Sequence, residues 1–127
     1  MMKTCLIVDD DEAIVGMLAE LMQRDGMRVL VATDGERALA VLRDFQVDVV
    51  LLDLAMPLVD GETVMLLAPH FLRPGARPRL VVVTANPNGP IRLGEITPDA
   101  VVHKPFDIEE IEAAVGIPEA AREEWNG

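Results

Sequence analysis

Short apolar runs alternate with helical patterns along the whole chain, and no other feature limits its fold so tightly. Cys5-Leu6-Ile7-Val8 is apolar throughout and bounded on its far side by acids, which predicts a buried strand. Ile14, Met17, Leu18, Leu21 and Met22 then recur at helical spacing, with Gly26 as a stop. Val29-Leu30-Val31 predicts a second strand, closed by the turn pair Asp34-Gly35, and Ala38, Leu39, Leu42 and Phe45 line the next helical face. Residues 47–52 form the strongest strand candidate, apolar except for Asp48. Pro57 and Asp60-Gly61 precede a third helical stretch, with Val64, Leu67, Ala68 and Phe71 on one side.

Residues 80–83 and the shorter Ala100-Val101-Val102 supply two more strands, and a last helix opens at Asp107 with Ile108, Glu110, Ile111 and Val115. Asp107 followed three places later by Glu110 is similar to a capping box, with Asp in place of the usual Ser or Thr. Strands apolar on both faces and separated by helices require a parallel sheet covered on each side. Right-handed crossovers then give an α/β domain of three layers, doubly wound, with five parallel strands. Pro87, Gly89, Pro90, Gly94 and Pro98 leave room for about one helical turn between residues 85 and 99, so the fourth helix is expected to be short or absent. Residues 1–116 form the expected domain, and 117–127 a C-terminal tail or short extra helix.

The 127 residues suit one domain, and half of them are hydrophobic, although only 3% are aromatic. The core must therefore be built from Val, Leu, Ile, Ala and Met. A net charge of −11 without any basic cluster opposes direct binding to nucleic acid, which needs Lys and Arg against phosphates. One cysteine, Cys5, cannot form an internal disulfide and reads as a small buried residue. No apolar run approaches the roughly 20 residues of a membrane helix. Residues 1–4 run straight into the first strand without the apolar region of a signal peptide. The expected setting is cytoplasmic, with proteins as partners and no membrane.

Ligands of open parallel sheets sit beyond the carboxyl ends of the strands. Here the first strand ends in Asp9-Asp10-Asp11, the third in Asp53, the fourth in Thr84 and the fifth in Lys104. Three acids on one strand end also suit the first turn of a helix, where the dipole favours negative charge, and Asp11 is the expected cap. Thr84 by itself suits a strand, and Lys104 a surface loop. His103 alternates away from Lys104, His70 lies near a helix end, and neither has a Cys or His at ligand spacing.

Taken together, Val8-Asp9-Asp10, Leu51-Leu52-Asp53-Leu54-Ala55-Met56-Pro57, Asp60-Gly61, Val83-Thr84-Ala85 and Lys104-Pro105-Phe106 resemble the receiver domains of two-component response regulators. The resemblance runs from about residue 3 to about residue 115. It implies a flavodoxin-like strand order of 2-1-3-4-5 and a cis peptide between Lys104 and Pro105. It further implies that Asp53 is the phosphoacceptor, receiving phosphate from a histidine kinase or a histidine phosphotransfer protein and then switching a surface for a downstream protein target. Mg²⁺ would be held by Asp10 and Asp53, by Asp9 directly or through water, and by the main-chain carbonyl of Ala55. Lys104 would face the phosphoryl oxygens and Thr84 would donate its hydroxyl. Such a domain modifies only itself and is not otherwise an enzyme.

Two features depart from that pattern. Val101 stands where receivers usually carry an aromatic residue, and the interval from Thr84 to Lys104 is short. Output is therefore expected to rely on ordering of the 86–96 loop. Ala55 offers no side-chain hydrogen bond to an attacking water whereas Asn86 does, so self-dephosphorylation is expected to be slow to moderate. Two other functions compete. A receiver-like protein-binding module that no longer takes phosphate would suit Val101. A phosphatase with an aspartate nucleophile and Mg²⁺ would need that nucleophile on the first strand. Asp9 and Asp11 fit it loosely, but Ala13 replaces the required Thr.

Overall fold

The computed structural model describes residues 2–53, 75, 77–85 and 98–117. In chain order they form β1 (Thr4–Val8), α1 (Glu12–Arg24), β2 (Arg28–Ala32), α2 (Gly35–Asp44), β3 (Val49–Asp53), β4 (Arg79–Thr84), β5 (Ala100–His103) and α3 (Ile108–Val115). The five strands make one sheet of order β2-β1-β3-β4-β5, and every pairing is parallel. The predicted third helical stretch, the thin fourth helix, Ala55, His70, Asn86 and residues 118–127 lie outside the described residues.

β1 and β3 occupy the centre and are buried at every position. Alternate residues of each strand serve different cores, because strand side chains point to opposite faces in turn. Cys5 and Ile7 join Val49, Leu51, Val81 and Val83 beneath α1 and α3, packing on Leu18, Met22, Ile111 and Val115. Leu6 and Val8 join Val50, Leu52 and Val82 on the other face, where α2 contributes Ala38, Leu39 and Leu42. Helices thus cover both faces of the sheet. Ile117 also packs on the first core, directly after the Gly116 cap.

Local sequence sets the helix boundaries. The Asp11 side chain accepts hydrogen bonds from the N–H groups of Ala13 and Ile14, capping α1, and Asp34 caps α2 through the N–H of Arg37. Asp107 and Glu110 form the reciprocal capping box at the start of α3, and left-handed Gly116 (φ 94°) ends that helix. Gly26 (φ 87°) turns the chain from α1 into β2.

Two side chains assigned to helix faces prove to be exposed. Met17 lies about 100° around α1 from Leu18, off the buried stripe of Leu18, Leu21 and Met22. Phe45 is the C-cap of α2 with an extended backbone, so helical periodicity no longer aims it inward. Its ring instead lies 5.6 Å from the Arg28 guanidinium carbon, a cation–π contact. The edge strands are also less enclosed than their sequences imply: Val31 on β2 and Val101 on β5 are about 40% exposed.

Candidate acidic site at the sheet edge

The carboxyl ends of β1, β3, β4 and β5 come together because parallel strands bring the same end of each to one edge. Asp53 is the last residue of β3 and sits level with Val83, one place before Thr84 at the end of β4. Thr84 is level with His103, and the backbone N–H of Lys104 donates to the Thr84 carbonyl at 2.8 Å. Asp9 follows β1 directly, and its N–H donates to the Ala32 carbonyl at the end of β2, at 3.2 Å.

One carboxylate oxygen each from Asp9, Asp10 and Asp53 lies within 4.8 Å of the other two. Asp9 and Asp53 are buried, with 2% and 7% of their surface exposed, whereas Asp10 opens to solvent. The Lys104 ammonium reaches both buried acids, 3.3 Å from Asp9 Oδ2 and 3.7 Å from Asp53 Oδ2. Asp9 Oδ1 accepts a bond from the N–H of Asp11 at 2.9 Å, so the two oxygens of Asp9 have separate partners. Three clustered carboxylates against one ammonium leave a surplus of two negative charges, two of the acids being shielded from water. An oxygen-only donor set of this kind matches a hard divalent cation such as Mg²⁺, and the residues present fit such an ion.

Asp9, Asp10, Asp53, Thr84 and Lys104, expected at the strand ends, thus gather at one edge, with Thr84 buried at the end of β4. Ala55 lies outside the described residues. The Lys104–Pro105 peptide is cis. His103 is exposed and stands outside the acid cluster. One relationship escaped the sequence reading: Lys104 approaches Asp9 more closely than Asp53. Nothing local in the chain signals that pairing. The Asp9–Asp11 contact does have a local signal, since an Asp side chain readily accepts from the N–H two residues on.

No helix among the described residues is long and apolar enough to cross a membrane. The response regulator receiver domain family matches residues 5–116. Among curated relatives, the transcriptional regulatory protein CpxR of Klebsiella pneumoniae is 38% identical over 116 residues, covering 90% of this chain and 48% of CpxR. The DNA-binding response regulator MtrA of Mycolicibacterium smegmatis is 34% identical over 117 residues, covering 91% of this chain and 50% of MtrA. The chain therefore spans about half the length of these relatives.

The fold is similar to that of response regulator protein TrrA from Thermotoga maritima, solved in complex with Mg(2+)-BeF. Their TM-score is 0.77 at 29% identity, with 90% of this chain and 96% of the other covered. A CheY-like receiver domain from Methylobacillus flagellatus gives a TM-score of 0.76 at 25% identity, covering 89% and 95%. With nearly the whole sheet inside the matched span and the acids gathered at its edge, this chain belongs to the response regulator receiver domain family of two-component signalling.

Proposed function

We propose that the chain is a phosphoacceptor switch in which Asp53 takes a phosphoryl group from a phosphohistidine donor. The observation that carries this reading is the convergence of Asp9, Asp10 and Asp53 oxygens within 4.8 Å, with the Lys104 ammonium 3.7 Å from Asp53. An Asp53 carboxylate oxygen attacks phosphorus, the phosphorus–nitrogen bond breaks, and its electron pair leaves on the donor imidazole, which takes up a proton. An aspartyl phosphate results.

Asp9, Asp10 and Asp53, with the main-chain carbonyl of Ala55, would hold Mg²⁺, which supplies charge neutralisation between the carboxylate and the incoming phosphoryl oxygens. Lys104 places its ammonium beside Asp53, where it balances charge on the transferred group, and Thr84 presents a hydroxyl from the neighbouring strand end. Such a reaction depends mostly on positioning and electrostatics, which a rigid sheet edge provides. TrrA, solved with Mg(2+)-BeF, supports the metal assignment by similarity.

The donor is a histidine kinase or histidine phosphotransfer protein, and the recipient of the signal is a downstream protein reached through a surface that changes on phosphorylation. Residues 1–116 form the receiver unit in this reading, acting in the cytoplasm and modifying only itself. The phosphatase alternative requires Asp9 as nucleophile. Ala13 stands where that alternative needs a Thr hydroxyl, which it does not supply.

Incubation with a small phosphodonor tests the reading. Wild type should incorporate phosphate only with Mg²⁺, and Asp53→Ala should incorporate none. Equal labelling of Asp53→Ala would overturn the assignment.

A further inference from the structure

Asp11 lies outside the acid cluster, yet it is bonded to it. Its backbone N–H donates to Asp9 Oδ1 at 2.9 Å. Its side-chain Oδ1 turns the other way and accepts from the N–H groups of Ala13 at 2.9 Å and Ile14 at 3.3 Å. Its carbonyl accepts the first helical bond, from the Val15 N–H at 2.9 Å. One residue in an extended conformation (φ −85°, ψ 108°) thus joins the first turn of α1 to a buried acid of the site.

We propose that Asp11 is a positioning residue for the cation site, acting by its cap rather than by its charge. The inference rests on the reading above that Asp9 takes part in holding a divalent cation. The direction of the Asp11 N–H is set by the backbone at that position, and the cap bonds hold that backbone out of the helical conformation. Asp9 is consequently fixed at three points: its N–H on Ala32, its Oδ1 under Asp11 and its Oδ2 at Lys104. Freeing the cap releases one of these, and the carboxylate gains rotational freedom that binding must then remove. Partners that orient a metal-binding side chain typically alter affinity by about tenfold or more when lost.

The test measures Mg²⁺ affinity of the full chain by calorimetry, with thermal unfolding recorded in parallel. Asp11→Ala and Asp11→Gly both delete the side-chain acceptor, and Gly keeps most of the helix stability because it is tolerated at caps. Both should bind Mg²⁺ about tenfold more weakly than wild type. Asp11→Asn and Asp11→Ser keep an acceptor while removing the charge, and should stay within about twofold of wild type.

Weak binding by Asp11→Asn and Asp11→Ser as well would assign the effect to charge and overturn the proposal. Unchanged affinity in Asp11→Gly, whatever its melting temperature, would reduce Asp11 to a structural cap and also overturn it. Failure of wild type itself to bind Mg²⁺ would instead overturn the cation reading on which the proposal stands.

Discussion

Lys104 Nζ lies 3.3 Å from Asp9 Oδ2, although 95 positions separate the two residues. The bond spans the sheet edge from the β5 end to the β1 end, passing the Asp53 carboxylate at 3.7 Å. Lys104 therefore occupies part of the field that a cation among the three acids would also feel. Like charges compete for the same carboxylates. The lysine should both assist a phosphoryl group and oppose the metal.

That competition predicts opposite changes in one variant. Lys104→Met also frees Asp9 Oδ2, but that oxygen is then open to the ion and the like-charge repulsion is gone. Mg²⁺ should therefore bind more tightly than to wild type, by about fivefold, or roughly 1 kcal/mol. Phosphodonor labelling of Asp53 should meanwhile slow by about a hundredfold, the usual loss when a charge-stabilising donor is removed. Calorimetry and a labelling time course on the same sample check both. Weaker Mg²⁺ binding in Lys104→Met would contradict the competition.

Surplus negative charge predicts a trade between stability and function. Asp53→Asn removes one of three crowded carboxylates without changing shape, and should stabilise the metal-free protein by about 1 kcal/mol. Thermal unfolding in a chelator reads this gain. Adding Mg²⁺ should raise the wild-type melting temperature and leave the variant nearly unmoved, since only the state that binds the ion is stabilised.

At the opposite edge of the sheet, Asp48 substitutes for a strand partner. Its Oδ2 accepts from the Thr4 N–H at 2.8 Å, while its own N–H donates to the Thr4 carbonyl at 2.9 Å. Thr4 is buried, so Asp48→Ala leaves its N–H unpaired, with an expected loss of about 1–3 kcal/mol. Asp48→Asn keeps the acceptor and should recover most of that. Urea unfolding of the three proteins decides the matter.

Burial pushes the Cys5 thiol up from its ordinary 9.0 to about 12. The unfolded chain releases this proton near the ordinary value, whereas the native fold retains it. Between those limits the unfolded state holds fewer protons, so stability falls as pH rises, by about 1.4 kcal/mol per unit. The stability advantage of wild type over Cys5→Ala should accordingly shrink between about pH 9 and about pH 11, measured by urea unfolding. The chain has no tyrosine to obscure the comparison. An advantage that stays constant across this range would show that Cys5 ionises alike in both states.

Central strands were legible because burial on both faces leaves an unbroken apolar run, as in Cys5-Leu6-Ile7-Val8. Position within the sheet was less so. Val29-Leu30-Val31 and Ala100-Val101-Val102 read like the central runs, yet they form the two edges, because composition does not encode the number of neighbours. Met17 and Phe45 fooled the periodic pattern for different reasons, one at the margin of the apolar stripe and the other beyond the last helical residue.

The site was legible as residue types at strand ends, since a parallel sheet collects those ends automatically. Which acid Lys104 favours was not. That choice depends on where β5 lies relative to β1, a tertiary distance that no local spacing records. The caps at Asp11 and Asp107, by contrast, depend on contacts within four residues and were visible from the start.

The division of packing between the two faces has a consequence for how this protein tolerates change. Ile7 and Leu6 are covalent neighbours, yet Ile7 belongs to the core under α1 with Leu18 while Leu6 belongs to the other with Leu42. Double substitutions should consequently couple for Ile7 with Leu18, on the helix that packs against β1, and add independently for Ile7 with Leu42, the sheet acting as a bulkhead between two compartments. Sequence drift in one compartment leaves the other intact, so the strand ends keep their alignment while half of the interior is rewritten.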